Sequence, residues 1–142
     1  MEATLDHVTP AAKNPTVSNV RRRTGVVMSG LAVAFFLFDA AMKLVKVQPV
    51  IEATQKLGYP DATTRPIGIV LLASVVLYVI PRTAVIGAVL ITGFLGGAIA
   101  THVRVEDPLF SHTLFPTYVA ALVWGGLYLR DARLRSLAPW NR

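Results

Sequence analysis

Four stretches of this chain contain no Asp, Glu, Lys or Arg: residues 24–38, 66–81, 83–103 and 108–129. Val, Leu, Ile, Phe, Ala and Gly dominate all of them. The last two are each long enough to cross a bilayer unaided, which takes about 20 residues. Between the first and second lies a polar segment, VQPVIEATQKLGYPDATTRP, in which Pro49 suits a helix start and Gly58 a helix stop. Ile51 and Leu57 can share one apolar face, so the spacing predicts a short amphipathic helix lying on the membrane surface.

The second and third stretches cannot be one helix. Together they would extend roughly 57 Å at 1.5 Å per residue, against a hydrocarbon core of about 30 Å. Pro81-Arg82 is therefore a turn, and the pattern predicts four spans, at about 24–45, 66–80, 83–103 and 114–129. The expected fold is all-α, an integral membrane four-helix bundle with the interfacial helix between spans one and two. Residues 1–23 are expected to form a mobile cytoplasmic tail, 24–135 the membrane domain, and 136–142 a basic cytoplasmic tail with Trp140 as an interfacial anchor. Residues 1–23 do not read as a secretory signal, because no clear small-residue cleavage site follows Arg21-Arg22-Arg23.

An even number of crossings puts both termini on one side. If that side is the cytoplasm, only Lys43, Lys46, Lys56, Arg65 and Arg104 of the 14 Lys and Arg lie outside. This agrees with the positive-inside rule and predicts an N-in, C-in topology.

Composition fits this picture. The chain of 142 residues is 54% hydrophobic and only 15% charged, whereas soluble domains carry about 25% charged residues. Chains so rich in aliphatics and poor in charge do not stay disordered. The absence of cysteine excludes disulfides, a thiol relay, an iron–sulfur cluster and a thiolate zinc site within the chain. The net charge of +6 flanks apolar spans and forms no basic, aromatic-interleaved surface, so a nucleic-acid partner is not expected.

Ionisable groups within spans are costly and normally face inward with a partner. Asp39 is the sole acid inside a predicted span, and Lys43 follows it at i+4. The pair is either a structural ion pair or part of a ligand or proton site. His102, Arg104, Glu106 and Asp107 end span three, and His112 and Tyr118 flank the start of span four. His102 and Glu106 are i,i+4 neighbours if the helix continues that far. The two histidines either cap helices or line a site at the outer mouth. A zinc site from His102, His112 and Glu106 lacks the tight spacing such sites show, so no metal is expected. Small residues at Gly93, Gly96 and Gly97, and at Gly125 and Gly126, suit close helix packing, within the chain or across a homodimer seam.

Taken together, the Lys-bearing end of span one, Leu57-Gly58-Tyr59-Pro60, Ala100-Thr101-His102-Val103-Arg104, Asp107-Pro108, His112 and Pro116 resemble the DoxX-like family of small bacterial membrane proteins. The resemblance covers about residues 24–135. It implies a compact four-helix protein of the bacterial inner membrane. It also implies a wider group that includes subunits of thiosulfate and quinone oxidation and membrane-protein assembly factors. The positions it singles out are Asp39, Lys43, Gly58, Tyr59, Pro60, His102, Arg104 and His112.

Two functions are weighed. In one, Asp39, Lys43, His102, Arg104, His112 and Tyr118 bind a quinone-like lipophilic molecule in the outer half of the bundle, and the protein is a subunit of a membrane redox system. No cofactor is intrinsic, so electrons would come from a partner. In the other, the same pocket holds a lipid, or the chain acts as an assembly or interaction factor without catalysis. Transport by four short spans without an inverted repeat would need an oligomer. The expected partners are the bilayer and a redox partner or further copies of the chain.

Overall fold

A computed structural model describes residues 15–136, and every regular element among them is helical. In chain order these are α1 (Pro15–Val45), α2 (Gln48–Lys56), a 3-10 turn (Asp61–Thr63) and α3 (Thr64–Val79). Then come α4 (Ala84–Arg104), one π-helical turn (Leu109–Thr113), α5 (Phe115–Arg130) and α6 (Ala132–Ser136). Three segments are long and apolar enough to cross a membrane: Asn19–Val45, Asp61–Val79 and Ala84–Arg104.

The elements follow from local chemistry. Pro49 occupies the first turn of α2, where its missing N–H is no loss. Gly58, with φ +82°, takes the left-handed conformation that ends this helix. Leu57 and Gly58 then donate back to the carbonyls of Ala53 and Gln55. The turn at Ser/Thr-free Pro81-Arg82 is closed by Thr83, whose hydroxyl donates to Leu77 O at 2.8 Å.

One predicted boundary shifts. Residues 15–23, expected in a mobile tail, continue α1 as helix, because nothing after Pro15 interrupts it. Residues 1–14, the rest of that tail, and 137–142, including Trp140, lie outside the described residues. The helix expected at about 114–129 is found as α5, and residues 108–114 of the charge-free stretch lie outside it. Pro108 opens the π-helical turn and α5 begins only at Phe115, with Pro116 in its first turn. At 16 residues, α5 rises about 24 Å.

The exterior is apolar where a water-soluble domain would be polar. Outward faces carry large apolar side chains: Val27, Leu31 and Phe38 on α1, Ile69, Val70 and Val76 on α3, Ile86, Val89 and Leu90 on α4. Exposed apolar area on this scale needs a nonaqueous neighbour. Inward faces mix large side chains such as Phe36, Leu71 and Ile91 with small or polar ones: Ser29, Ala32 and Ala40 from α1, Ser74 from α3, and Ala84 and Ala88 from α4. Small side chains let helix backbones approach and gain dispersion contact where lipid supplies no hydrophobic drive.

α1 lies against both α3 and α5, and α4 lies against the same two helices. The α1–α5 crossing is tight at Gly25 and Gly126. A methyl at Gly25 would stand 2.8 Å from Gly126 O, and one at Gly126 would stand 2.8 Å from Ser29 N. Beside it, Tyr78 of α3 is fully buried. Its hydroxyl donates to Val123 O at 2.8 Å and accepts from Ser29 Oγ at 2.9 Å. Arg130 donates to Tyr78 O at 3.0 Å and lies over the Tyr78 ring at 4.9 Å. This end of the molecule is thus pinned, and the cavity lies toward the other.

Candidate functional site

At the opposite end, α1, α3, α4 and α5 do not close on one another. They leave a cavity of about 440 Å³, covered by α2 and the segment after it. This is within the usual size range of small-molecule sites, roughly 300–1,000 Å³. Its wall is largely apolar, with Phe35 and Phe36 from α1, Ile67 from α3, Phe94 from α4 and Phe115 from α5. Phe35 meets both Phe36 and Phe115 edge-on, each at 5.5 Å between centroids, the geometry that ring quadrupoles favour.

Polar groups gather at one end. Asp39 and Lys43 line the cavity and form an ion pair along α1. Gly68 makes this placement feasible: a methyl there would come within 2.9 Å of Lys43 Cβ. Tyr59 and Thr101 face the same space and are hydrogen-bonded at 2.9 Å. His102 also lines it, with Nδ1 2.6 Å from Asp107 Oδ2. Along α4, Gly93, Gly97 and Thr101 recur at i, i+4 and i+8, so one face of that helix presents backbone and a hydroxyl to the cavity.

A sequence model of the DoxX-like family matches residues 27–126, most of the chain. The chain belongs to the DoxX-like family. No curated protein and no solved structure matches it. All of the cavity residues of this DoxX-like protein fall inside the matched segment. Family and apolar helices agree that this is a membrane protein.

Of the six candidate binding residues, Asp39, Lys43 and His102 share the cavity. Arg104 stands just behind its edge. It donates to Leu57 O at 2.5 Å and lies 5.8 Å from the Tyr59 ring centroid, so it clamps the end of α2 in place. His112 is exposed outside the cavity wall, its ring 5.9 Å from that of His102. Its Nδ1 meets Ser111 Oγ at 2.8 Å. Tyr118 is half exposed on the outer face of α5, away from the cavity.

The expected His102–Glu106 neighbourhood does not form. α4 ends at Arg104, and Glu106 takes a left-handed φ of 57° that turns the chain so that Asp107 meets His102 instead. Nor do His102, His112 and Glu106 converge: among the described residues no three such side chains gather as a ligand set.

The glycines divide. Gly126 contacts α1 closely, and Gly125 meets Met28. Gly93, Gly96 and Gly97 have no neighbour within 4 Å of an added methyl. Their spacing serves the cavity and an open face of α4, with no other helix among the described residues against it. Sequence alone does not mark the aromatic wall or Thr54, and it marks Thr101 only as part of the stretch that resembles the family. The repeat Gly93, Gly97, Thr101 was the available signal, and it reads equally well as helix packing.

Proposed function

We propose that this DoxX-like protein crosses the membrane four times as a helical bundle, with both termini in the cytoplasm. In this topology the cavity lies in the outer half of the bilayer, where it binds a lipophilic, quinone-like small molecule. The observation that carries the reading is the cavity itself: an aromatic and aliphatic chamber whose single polar end holds Asp39, Lys43, Tyr59, Thr101 and His102. Such a shape suits a molecule with an apolar body and a small polar head. An ammonium at Lys43 favours an oxygen that carries negative charge. As a subunit of a redox system in a bacterial inner membrane, the chain would hold the small molecule while a partner supplies electrons, since it contains no cysteine.

A second reading is favoured by the exposed cations Lys56 and Arg65 near the cavity's covering segment. These suit anionic headgroups, so the occupant would be a lipid. The open face at Gly93 and Gly96 leaves room for a partner helix or another copy.

Native mass spectrometry of the gently solubilised protein separates the readings. A stoichiometric adduct of a small lipophile, lost in Gly97→Leu, supports the first. A phospholipid adduct lost in the same variant supports the second. An adduct indifferent to Gly97→Leu contradicts both, because that side chain enters the cavity without meeting any atom within 4 Å at its Cβ.

A further inference from the structure

The hydrogen-bonding capacity of the cavity's polar end is lopsided. Thr54 and Thr101 each have one hydroxyl proton, and each commits it to its own helix: Thr54 to Val50 O at 2.7 Å, Thr101 to Gly97 O at 2.8 Å. A carbonyl can only accept, so the Thr101 oxygen must accept from Tyr59 at 2.9 Å. The Tyr59 proton is thereby committed as well.

His102 follows the same logic. The Asp107 carboxylate accepts only, so the proton of a neutral imidazole sits on Nδ1, where the 2.6 Å contact is made. That leaves Nε2 with a lone pair and no partner in the protein among the described residues. One Lys43 N–H is taken by Asp39. Neutral donors are therefore exhausted at this end of the cavity. The acceptors that remain are His102 Nε2, the second oxygen of Asp39, and lone pairs on Tyr59, Thr54 and Thr101. Among the described residues, the free donors that remain at this end belong to Lys43.

We infer that the cavity selects ligands whose head group donates a hydrogen bond, a phenol or other hydroxyl on an apolar body, with His102 Nε2 accepting that proton. A hydroxyl matches both sides of the inventory, because its hydrogen meets an acceptor and its oxygen accepts from Lys43. A head group with carbonyls alone would satisfy Lys43 and leave His102 Nε2 unpaired, which is costly in a mostly apolar chamber. A cationic amine would supply donors but face the Lys43 ammonium. Asp107 is a positioning residue: it touches no ligand and acts by fixing the tautomer of His102. This inference rests on the cavity's being a lipophile site. Within a quinone-like pair it selects the hydroxylated, reduced form.

The test compares three probes of similar size on the purified full chain: para-decylphenol, its methyl ether, and decylbenzoquinone. Each is titrated into wild type, Gly97→Leu and Asp107→Asn, with binding read by native mass spectrometry and helix content checked by circular dichroism. Wild type binds the phenol about tenfold or more tightly than the ether or the quinone, the penalty expected for a buried acceptor left unpaired. Asp107→Asn can donate to Nδ1 and place the proton on Nε2, so the preference for phenol collapses while total binding persists.

If the ether or quinone binds wild type as tightly as the phenol, and all weaken in Gly97→Leu, the donor-selective inference is overturned and the cavity reading stands. If no probe binds, or binding ignores Gly97→Leu, the cavity reading fails and this inference with it. The wild-type comparison decides the point even if Asp107→Asn does not fold.

Discussion

Tyr59, in the segment after α2, donates its hydroxyl to Thr101 near the end of α4 across 2.9 Å, joining positions 42 apart in the chain. The bond holds the covering segment against the cavity wall. Tyr59→Phe removes the donor and leaves the ring, and is expected to cost about 1 kcal/mol, the usual net contribution of such a bond. Thr101→Val should then add little. A double-mutant cycle followed by thermal unfolding checks this: coupling of about 1 kcal/mol is expected, and strict additivity would show that the contact is not made.

Glycines on two faces should respond oppositely to the same change. Gly126→Ala puts a methyl 2.8 Å from the Ser29 backbone nitrogen and 2.5 Å from its hydroxyl oxygen. α1 and α5 must separate, at an expected cost of about 1–3 kcal/mol. Gly30→Ala meets nothing within 4 Å and should be neutral or stabilising by up to about 1 kcal/mol, since alanine is the better helix former. Thermal melts of the two variants side by side decide it.

These contrasts mark where the sequence was legible. Charge-free stretches bounded by Arg82, Arg104 and Arg130 gave the helices to within a few residues, because a charge inside a span is expensive enough to dominate all other signals. Pro49 and Gly58 marked α2 for equally local reasons. Asp39, Lys43 and His102 were legible as candidates on the same ground of cost. What could not be read were relations across the chain. Nothing local says that Gly126 meets Gly25 while Gly93 meets nothing. Nor does spacing reveal that the chain reverses at Glu106, so that Asp107 becomes the partner of His102. The aromatic wall drew on Phe35, Phe94 and Phe115 from three helices, each indistinguishable in sequence from a lipid-facing residue.

The Asp39–Lys43 pair borders the cavity with side chains still 28% and 17% exposed. Asp39→Asn keeps the shape and removes the charge. Abundance and helix content should be retained while probe affinity falls about tenfold or more, because the Lys43 ammonium that donates to the ligand oxygen loses the carboxylate that holds it in place. Loss of folding in step with loss of binding would assign the pair to helix positioning alone.

Topology can be read chemically, since the chain has no cysteine of its own. Ala62 and Arg82 are both exposed, one in the turn before α3 and the other in the turn after it. A membrane-impermeant maleimide applied to intact cells is expected to label Ala62→Cys and to reach Arg82→Cys only after permeabilisation. The reverse pattern would invert the orientation, and labelling of both without permeabilisation would remove the span between them.

The most direct test of a ligand-holding cavity is photolabelling in the native membrane. A diazirine-bearing decylphenol is added, irradiated, and its attachment sites mapped by peptide sequencing. Labels should concentrate on residues 35–43 and 93–102, two of the segments that line the cavity, and vanish in Gly97→Leu. Labels confined to Ile69, Val70, Val89 and Leu90 on the outward faces, unchanged in that variant, would mean that the lipophile only dissolves in the surrounding lipid and that the cavity binds nothing.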